Sequence, residues 1–309
     1  MQRNYQMITK IYQALAIVLL LSIAPARAAI TCSIGSPGFN ALYDVITATP
    51  TDNMSSFTLN CSRLATDATT LNYIAFTDDG LYNNGANNRA KLTTANQFIK
   101  YDFFTDATFA TNWSKSNKCI IGSINFGSAL TASQTKTYFS RIPAAQTGIP
   151  QGSYVDTVTV FASYGATTCA NGATPNISGS FTVAISNVPA CEISVPPGNV
   201  AFTYTAFQAT AAAANTTFSA RCTTNLPYSM ALDRTPSSGV YPGVVSGLSY
   251  GLSIGTTAGG AAILPTTSFS GNGNVLPYFI NGAMPANQAG SCASATCTLI
   301  DPRTLTFTF

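Results

Sequence analysis

Apolar residues alternate with polar ones over many short stretches of this chain. In residues 56–61 the apolar positions are Phe57, Leu59 and Cys61; in residues 217–222 they are Phe218, Ala220 and Cys222. A period of two places each set on one face of an extended strand. The same reading predicts strands at 73–76, 101–104, 136–142, 154–164 and 180–186. Asn83-Asn84-Gly85 and Ser270-Gly271-Asn272-Gly273 read as turns. The alanine run at 211–214 leads into Thr216, Thr217 and Phe218, so it reads as loop or strand edge rather than helix. Strands of this length and spacing predict an all-β fold of immunoglobulin-like sandwich type.

The pattern occurs twice. Cys32 precedes Cys61 by 29 residues and Cys191 precedes Cys222 by 31, and each second cysteine ends an alternating run. Tyr138-Phe139 followed by Pro143-Ala144, Gln146 and Gly148 recurs as Tyr278-Phe279 followed by Pro285-Ala286, Gln288 and Gly290. A strand carrying Asp156 follows the first copy and one carrying Asp301 follows the second. Two related domains in tandem are expected, joined near Asn187-Val188-Pro189-Ala190.

The N-terminus reads as an address. Arg3 and Lys10 precede an apolar block at 14–23, and Ala26-Arg27-Ala28 forms a small-x-small cleavage site. Residues 1–28 are therefore expected to be a secretory signal peptide, leaving domains at 29–187 and 188–309. Only 8% of the 309 residues are charged, against about 25% in an average soluble protein, while 46% are hydrophobic. The peptide holds three of the 14 basic residues, so the mature chain balances 14 − 3 = 11 against 11 acidic ones. No basic stripe is present, which argues against a nucleic-acid partner. The chain contains no histidine, which removes histidine triads, ligands and pH switches together.

Eight cysteines behind a signal peptide point to disulfides formed in an oxidising compartment. Repeated spacing pairs Cys32 with Cys61 and Cys191 with Cys222, proximity pairs Cys292 with Cys297, and Cys119 and Cys169 remain as a fourth pair. A cysteine metal site usually needs close C-x2-C pairs, which do not occur here; neither metal nor cofactor is expected.

Several first-domain stretches carry a resemblance. They are the early cysteine pair, Asn88-Arg89-Ala90-Lys91-Leu92, Tyr101-Asp102-Phe103-Phe104, the Pro143-Ala144-x-Gln146 turn and Gly152-Ser153-Tyr154-Val155-Asp156-Thr157-Val158-Thr159-Val160. Together they resemble a spore coat protein U domain, the pilin fold of archaic, Csu-type chaperone–usher pili. The second domain is similar in its cysteine pair, its Pro285 turn and its terminal strand. It lacks the Gly-x-Tyr before Asp301, and Pro302 and Arg303 replace the usual continuation.

The resemblance and the strand count together suggest a role. The first domain has a further strand after Asp156, in which Phe181, Val183 and Ile185 alternate with polar or small residues, and can close its own sheet. The second reaches Phe309 on the equivalent of the Asp156 strand, so it is expected to be incomplete and to take a strand from another chain. Leu305, Phe307 and Phe309 would line that edge, bound first by a periplasmic pilus chaperone. At an outer-membrane usher, the N-terminal donor strand of the next pilin subunit would then replace the chaperone. Cleavage after Ala28 would leave three residues before Cys32, too few to donate a strand in turn. The resemblance gives such a subunit the pilus tip, at the cell surface, with its first domain adhering to an abiotic or host surface.

Adhesion is expected from loops of the first domain far from the linker. The candidates are Leu81 and Tyr82, Trp113 with Phe109, and Ile149 beside Pro150; for each, packing into the core is the alternative. Asn112-Trp113-Ser114 also forms a glycosylation triplet, relevant only in a eukaryotic secretory pathway. Asp78-Asp79, Asp102 and Asp106 are the acids an enzyme would use, but adjacent acids on a turn are usually solvated, and no enzymatic activity is expected. The alternative function is a secreted structural coat or matrix protein of the same fold.

Overall fold

The computed structural model describes residues 30–309 except positions 37, 48, 86, 116, 293 and 295. The expected signal peptide, residues 1–28, lies outside the described residues.

Two β-sandwiches follow one another, each with its own apolar core. The first is built from β1 (Thr31–Gly35), β2 (Phe39–Tyr43), β3 (Thr51–Ser62), β4 (Thr70–Thr77), β5 (Asn88–Leu92), β6 (Phe98–Phe104), β7 (Ile120–Asn125), β8 (Thr131–Ile142), β9 (Gly152–Tyr164) and β10 (Ile177–Asn187). Strands β1, β3 and β8 form one layer, and β7, β4, β9, β10 and β2 the other. Strand β6 belongs to both: Tyr101 pairs with Asn88 of β5, while Asp102 pairs with Arg141 of β8. One strand changing sheets closes that side of the sandwich.

The second sandwich contains β11 (Cys191–Val195), β12 (Ala212–Cys222), β13 (Pro227–Leu232), β14 (Val240–Val245), β15 (Leu248–Gly255), β16 (Phe269–Ser270), β17 (Leu276–Met284) and β18 (Leu305–Thr308). A five-stranded sheet, β11-β12-β17-β15-β14, faces a three-stranded one, β16-β13-β18. The alanine run enters β12 at Ala212, which pairs with Met284, because the β-branched residues that follow favour extension and β17 supplies a partner. The turn read at 270–273 begins one residue later, since Ser270 pairs with Pro227.

All four cysteine pairs are joined as the spacing and proximity arguments predict: Cys32–Cys61, Cys119–Cys169, Cys191–Cys222 and Cys292–Cys297. The first and third bridge residues directly opposite on neighbouring strands. Each closes a loop of about thirty residues, worth roughly 3 kcal/mol or more through restriction of the unfolded chain.

Aromatic packing dominates the first core. Trp113 is fully buried; its ring stacks on Phe57 at 5.2 Å, and its indole N–H donates to the Ala75 carbonyl at 2.9 Å. Phe181 of β10 enters the same cluster against Phe103 and Tyr138. The strand that closes the first sandwich is therefore also one of its core elements. Truncating Phe181→Ala should destabilise the first domain by about 3–5 kcal/mol. Chemical denaturation of the two-domain protein, followed by the fluorescence of its single tryptophan, should show the loss in the first-domain transition.

Candidate functional site

The repeated residues form the same hydrogen-bond network in both sandwiches. In the first, Tyr43 Oη donates to the Pro143 carbonyl and accepts from the Gln146 amide. Gln146 Oε1 accepts from the Lys100 amide at 2.9 Å, and its Nε2 donates to the Lys100 and Pro143 carbonyls. In the second, the Gln288 amide donates to Tyr204 Oη, Gln288 Oε1 accepts from the Ser249 amide at 2.7 Å, and Nε2 donates to the Ser249 and Pro285 carbonyls. Tyr101 donates to Asp156 in the first domain, and Tyr250 donates to Asp301 in the second. These contacts fix the correspondence residue by residue: Tyr43 with Tyr204, Tyr101 with Tyr250, Asp156 with Asp301.

That correspondence exposes one difference. In the first domain β9 pairs with β4 and β5 along one edge, and along the other with β10, from Gly152↔Asn187 to Ala162↔Ile177. β10 pairs in turn with β2, Val183 opposite Phe39. In the second domain β18 pairs with β13, Leu232 opposite Leu305. Among the described residues no strand pairs with its other edge. The counterpart of β2 is the segment 199–205, where Val200, Phe202 and Tyr204 turn inward and alternate with exposed neighbours. It is not a strand, because the strand that would pair with it is the one missing. By correspondence with β2 and β9, a groove one strand wide separates 199–205 from β18, and among the described residues no strand fills it.

Leu305 and Phe307 point into this groove and pack on the second core, while Thr306 and Thr308 face outward. Phe309 follows the same alternation and is exposed. Just before them, Asp301 takes the Tyr250 hydroxyl and lies 3.4 Å from Arg234, and Arg303 pairs with Asp233 at 2.6 Å. The Arg303 hydrogen bond holds the Asp233 carboxyl below its usual range. Burial, followed by the Asp301 hydrogen bond, pushes the Tyr250 hydroxyl up.

The expected adhesive residues separate into three groups. Leu81 is 67% exposed, and the neighbouring Tyr82 is half-buried against Phe98. Trp113 is a core residue and presents no surface, since its loop folds inward through the Trp113 N–H to Phe103 carbonyl bond. Its companion Phe109 packs edge-on to Phe104 under Arg141. Ile149 is also buried, and its loop lies at the linker end rather than the far end. Asn187 at the linker donates to the Ile149 and Pro150 carbonyls, and Pro150 bridges to Thr224 of the second sandwich. Trp113 and Ile149 are therefore corrected from surface tips to core and linker contacts.

The end opposite the linker carries two residues that sequence reading missed. Leu64 and Leu130 are 60% and 51% exposed on adjacent loops, after β3 and before β8. Arg63 holds these loops together from below. Its amide donates to the Leu130 carbonyl, and its guanidinium donates to the carbonyls of Leu64, Asp67, Gly127 and Ala129. Each leucine is the one large apolar residue of its loop, so no periodicity marked it; the buried arginine that makes them a pair acts across the fold.

The acids have structural tasks. Asp78 accepts the Thr159 amide on the edge of β9 between its pairings with β4 and β5, Asp79 faces Lys115 at 3.4 Å, and Asp106 caps the amides of Thr108, Ala110 and Thr111. Asp102 lines a polar cleft of about 370 Å³ with Asn88, Lys115 and Lys118. Burial raises its carboxyl to about 6, only partly offset by the Asn88 amide. The folded state thus holds this proton more tightly than the unfolded chain, where the ordinary value of 3.8 applies. This contribution is present in full below about pH 4 and lost as pH rises through about 6. Thermal melts should show the first domain gaining stability from pH 7 to pH 5, and Asp102→Asn should flatten that dependence.

The sequence pattern of the Spore Coat Protein U domain matches residues 18–161 and 177–252, more than half of the chain. No curated protein matches. Among solved structures, the chaperone–tip adhesion subunit pre-assembly complex of the archaic chaperone–usher Csu pili of Acinetobacter baumannii is similar at 13% identity, TM-score 0.42. The alignment covers 90% of this chain and 100% of that one. The CupB6 tip adhesin of Pseudomonas aeruginosa is similar at 12% identity, TM-score 0.41, covering 91% and 95%.

Proposed function

The chain belongs to the spore coat protein U domain family, and from that premise we propose that it is a tip adhesin of a chaperone–usher pilus. In this reading residues 29–187 form an adhesive domain closed by its own β10, and residues 188–309 form a pilin domain that accepts a donor strand. The observation that carries the reading is the contrast at one edge: β9 is covered along its length by β10, while among the described residues no strand pairs with the second edge of β18, whose Leu305 and Phe307 pack on the same core as Val200, Phe202 and Tyr204. A strand laid there would pair with β18 and bury side chains worth roughly 1.5–3 kcal/mol each. A periplasmic chaperone would supply that strand first, at the edge formed by Leu305, Phe307 and Phe309. The N-terminal donor strand of the next pilin would replace it during passage through the usher, placing the subunit at the cell surface. Its work is binding rather than catalysis.

For adhesion, the far-end pair Leu64 and Leu130 fits better than the linker-side Ile149. Apolar tips on loops clamped by Arg63 lose little entropy on contact, and two exposed leucines suit an apolar or irregular surface, abiotic or host. Leu81 and Tyr82 lie at mid-height on the flank and are secondary.

Two measurements test the two halves of this reading. Appending a second copy of residues 165–187 after Phe309, with Cys169→Ser in that copy, should give a soluble monomer without a chaperone. The unextended chain should require one. Equal solubility of the two forms would count against the open groove. Separately, the pair Leu64→Ser and Leu130→Ser should leave piliation intact but reduce biofilm on hydrophobic plastic several-fold, with little effect of salt. Undiminished attachment would move adhesion elsewhere on the domain.

A further inference from the structure

The groove contains a charged residue where the first domain has an apolar one. Since Asp301 corresponds to Asp156, Arg303 corresponds to Val158, which is fully buried beneath β10. The neighbouring contacts keep this register: Asp78 binds the Thr159 amide, and Asp233 binds the Thr304 amide in the same way. Arg303 keeps the inward parity of Leu305 and Phe307, and its side chain is only 8% exposed. Nε donates to Asp233, while Nη1 and Nη2 are buried with no acceptor in good hydrogen-bond geometry, the Tyr250 hydroxyl being the neutral polar group beside the guanidinium. The nearby carboxylate of Asp301 is already engaged by Tyr250 and Arg234.

A guanidinium cannot shed its charge, and its buried N–H groups need oxygen acceptors. In the first domain the β10 residue directly opposite Val158 is Phe181. Directly opposed residues lie on one face, with Cβ atoms about 4.5–5.5 Å apart. A strand filling the second groove as β10 fills the first would thus set one side chain beside Arg303. If that side chain were apolar, the two buried Nη groups would still lack an acceptor once the strand is in place.

We propose that the strand accepted by the second domain runs antiparallel to 301–309 and carries, opposite Arg303, a side chain ending in an oxygen acceptor, a carboxylate or carboxamide. Its other inward positions are apolar. This inference rests on the donor-strand reading above and specifies which strand is admitted. Arg303 selects by penalty as much as by attraction, because a wrong strand leaves its donors unmet. The β10 strand of a second copy of this chain, with Phe181 at that position, is such a wrong strand. Arg303 thereby disfavours exchange of β10 between copies.

The test uses the full chain with the appended copy of residues 165–187. Within that copy, Phe181→Gln and Phe181→Glu should each raise the second-domain melting midpoint by about 5 °C or more over the unsubstituted copy, and Phe181→Lys should lower it. Val183→Gln in the copy, one inward position away, should give no gain. Combining the strands with Arg303→Leu in the domain should reverse the order, so that phenylalanine becomes the best residue. The inference is overturned if phenylalanine equals or exceeds glutamine and glutamate with Arg303 present, or if Val183→Gln stabilises equally. The latter comparison stands even if the Arg303→Leu protein does not fold. If no appended strand alters solubility or melting, the groove reading itself fails, and this inference fails with it.

Discussion

The backbone edge of the strand bearing Asp156 in one domain and Asp301 in the other governs this molecule. An extended strand at a sandwich margin presents a row of N–H and C=O groups, and it brings the inward side chains beneath it into or out of water. In the first domain β10 meets both demands: it pairs with β9 along its length and inserts Phe181, Val183 and Ile185 into the core. In the second no strand among the described residues pairs with the same edge, and its inward residues Leu305 and Phe307 are only partly buried. One fold thus appears twice, once with this edge paired within the chain and once, among the described residues, without a strand on it.

The two halves share a polar framework as well as a core. The Tyr–Gln–Pro contacts at Gln146 and Gln288 and the Tyr–Asp contacts at Asp156 and Asp301 hold the turn before the edge strand and the start of that strand. These groups are matched donor to acceptor, so they specify register as well as adding stability. The second domain departs from the framework at Arg303, where two buried Nη groups stay unmatched. Arg303 is the one charged side chain among the buried groups left without a partner in the described residues, and a buried charge of this kind is where a binding requirement is expected to be written.

The proposed adhesive end follows similar logic at smaller scale. Arg63 spends its guanidinium on four backbone carbonyls from two loops, which fixes their tips without an apolar core of their own. Leu64 and Leu130 can stay exposed because the structure beneath them does not depend on burying them.

The sequence by itself determined the strand-rich sandwich class, the tandem repeat and the Cys32–Cys61 and Cys191–Cys222 partners, because these depend on local alternation and repeated spacing. It also placed Leu305 and Phe307 on one face, since strand parity is a local property. The position of loops was beyond its reach. Trp113 and Ile149 sit in polar or glycine-rich stretches that read as exposed. The first folds inward onto Phe57 and the second docks beside the linker. Leu64 and Leu130 lie 66 residues apart and become a pair only through Arg63. Arg303 was visible as a departure from the repeat. That its Nη groups are buried and unmatched emerged only once Asp233, Tyr250 and Asp301 were brought around it. Pattern along the chain fixes which face a residue takes within its strand; which distant groups then meet it, and whether they satisfy it, depends on tertiary packing.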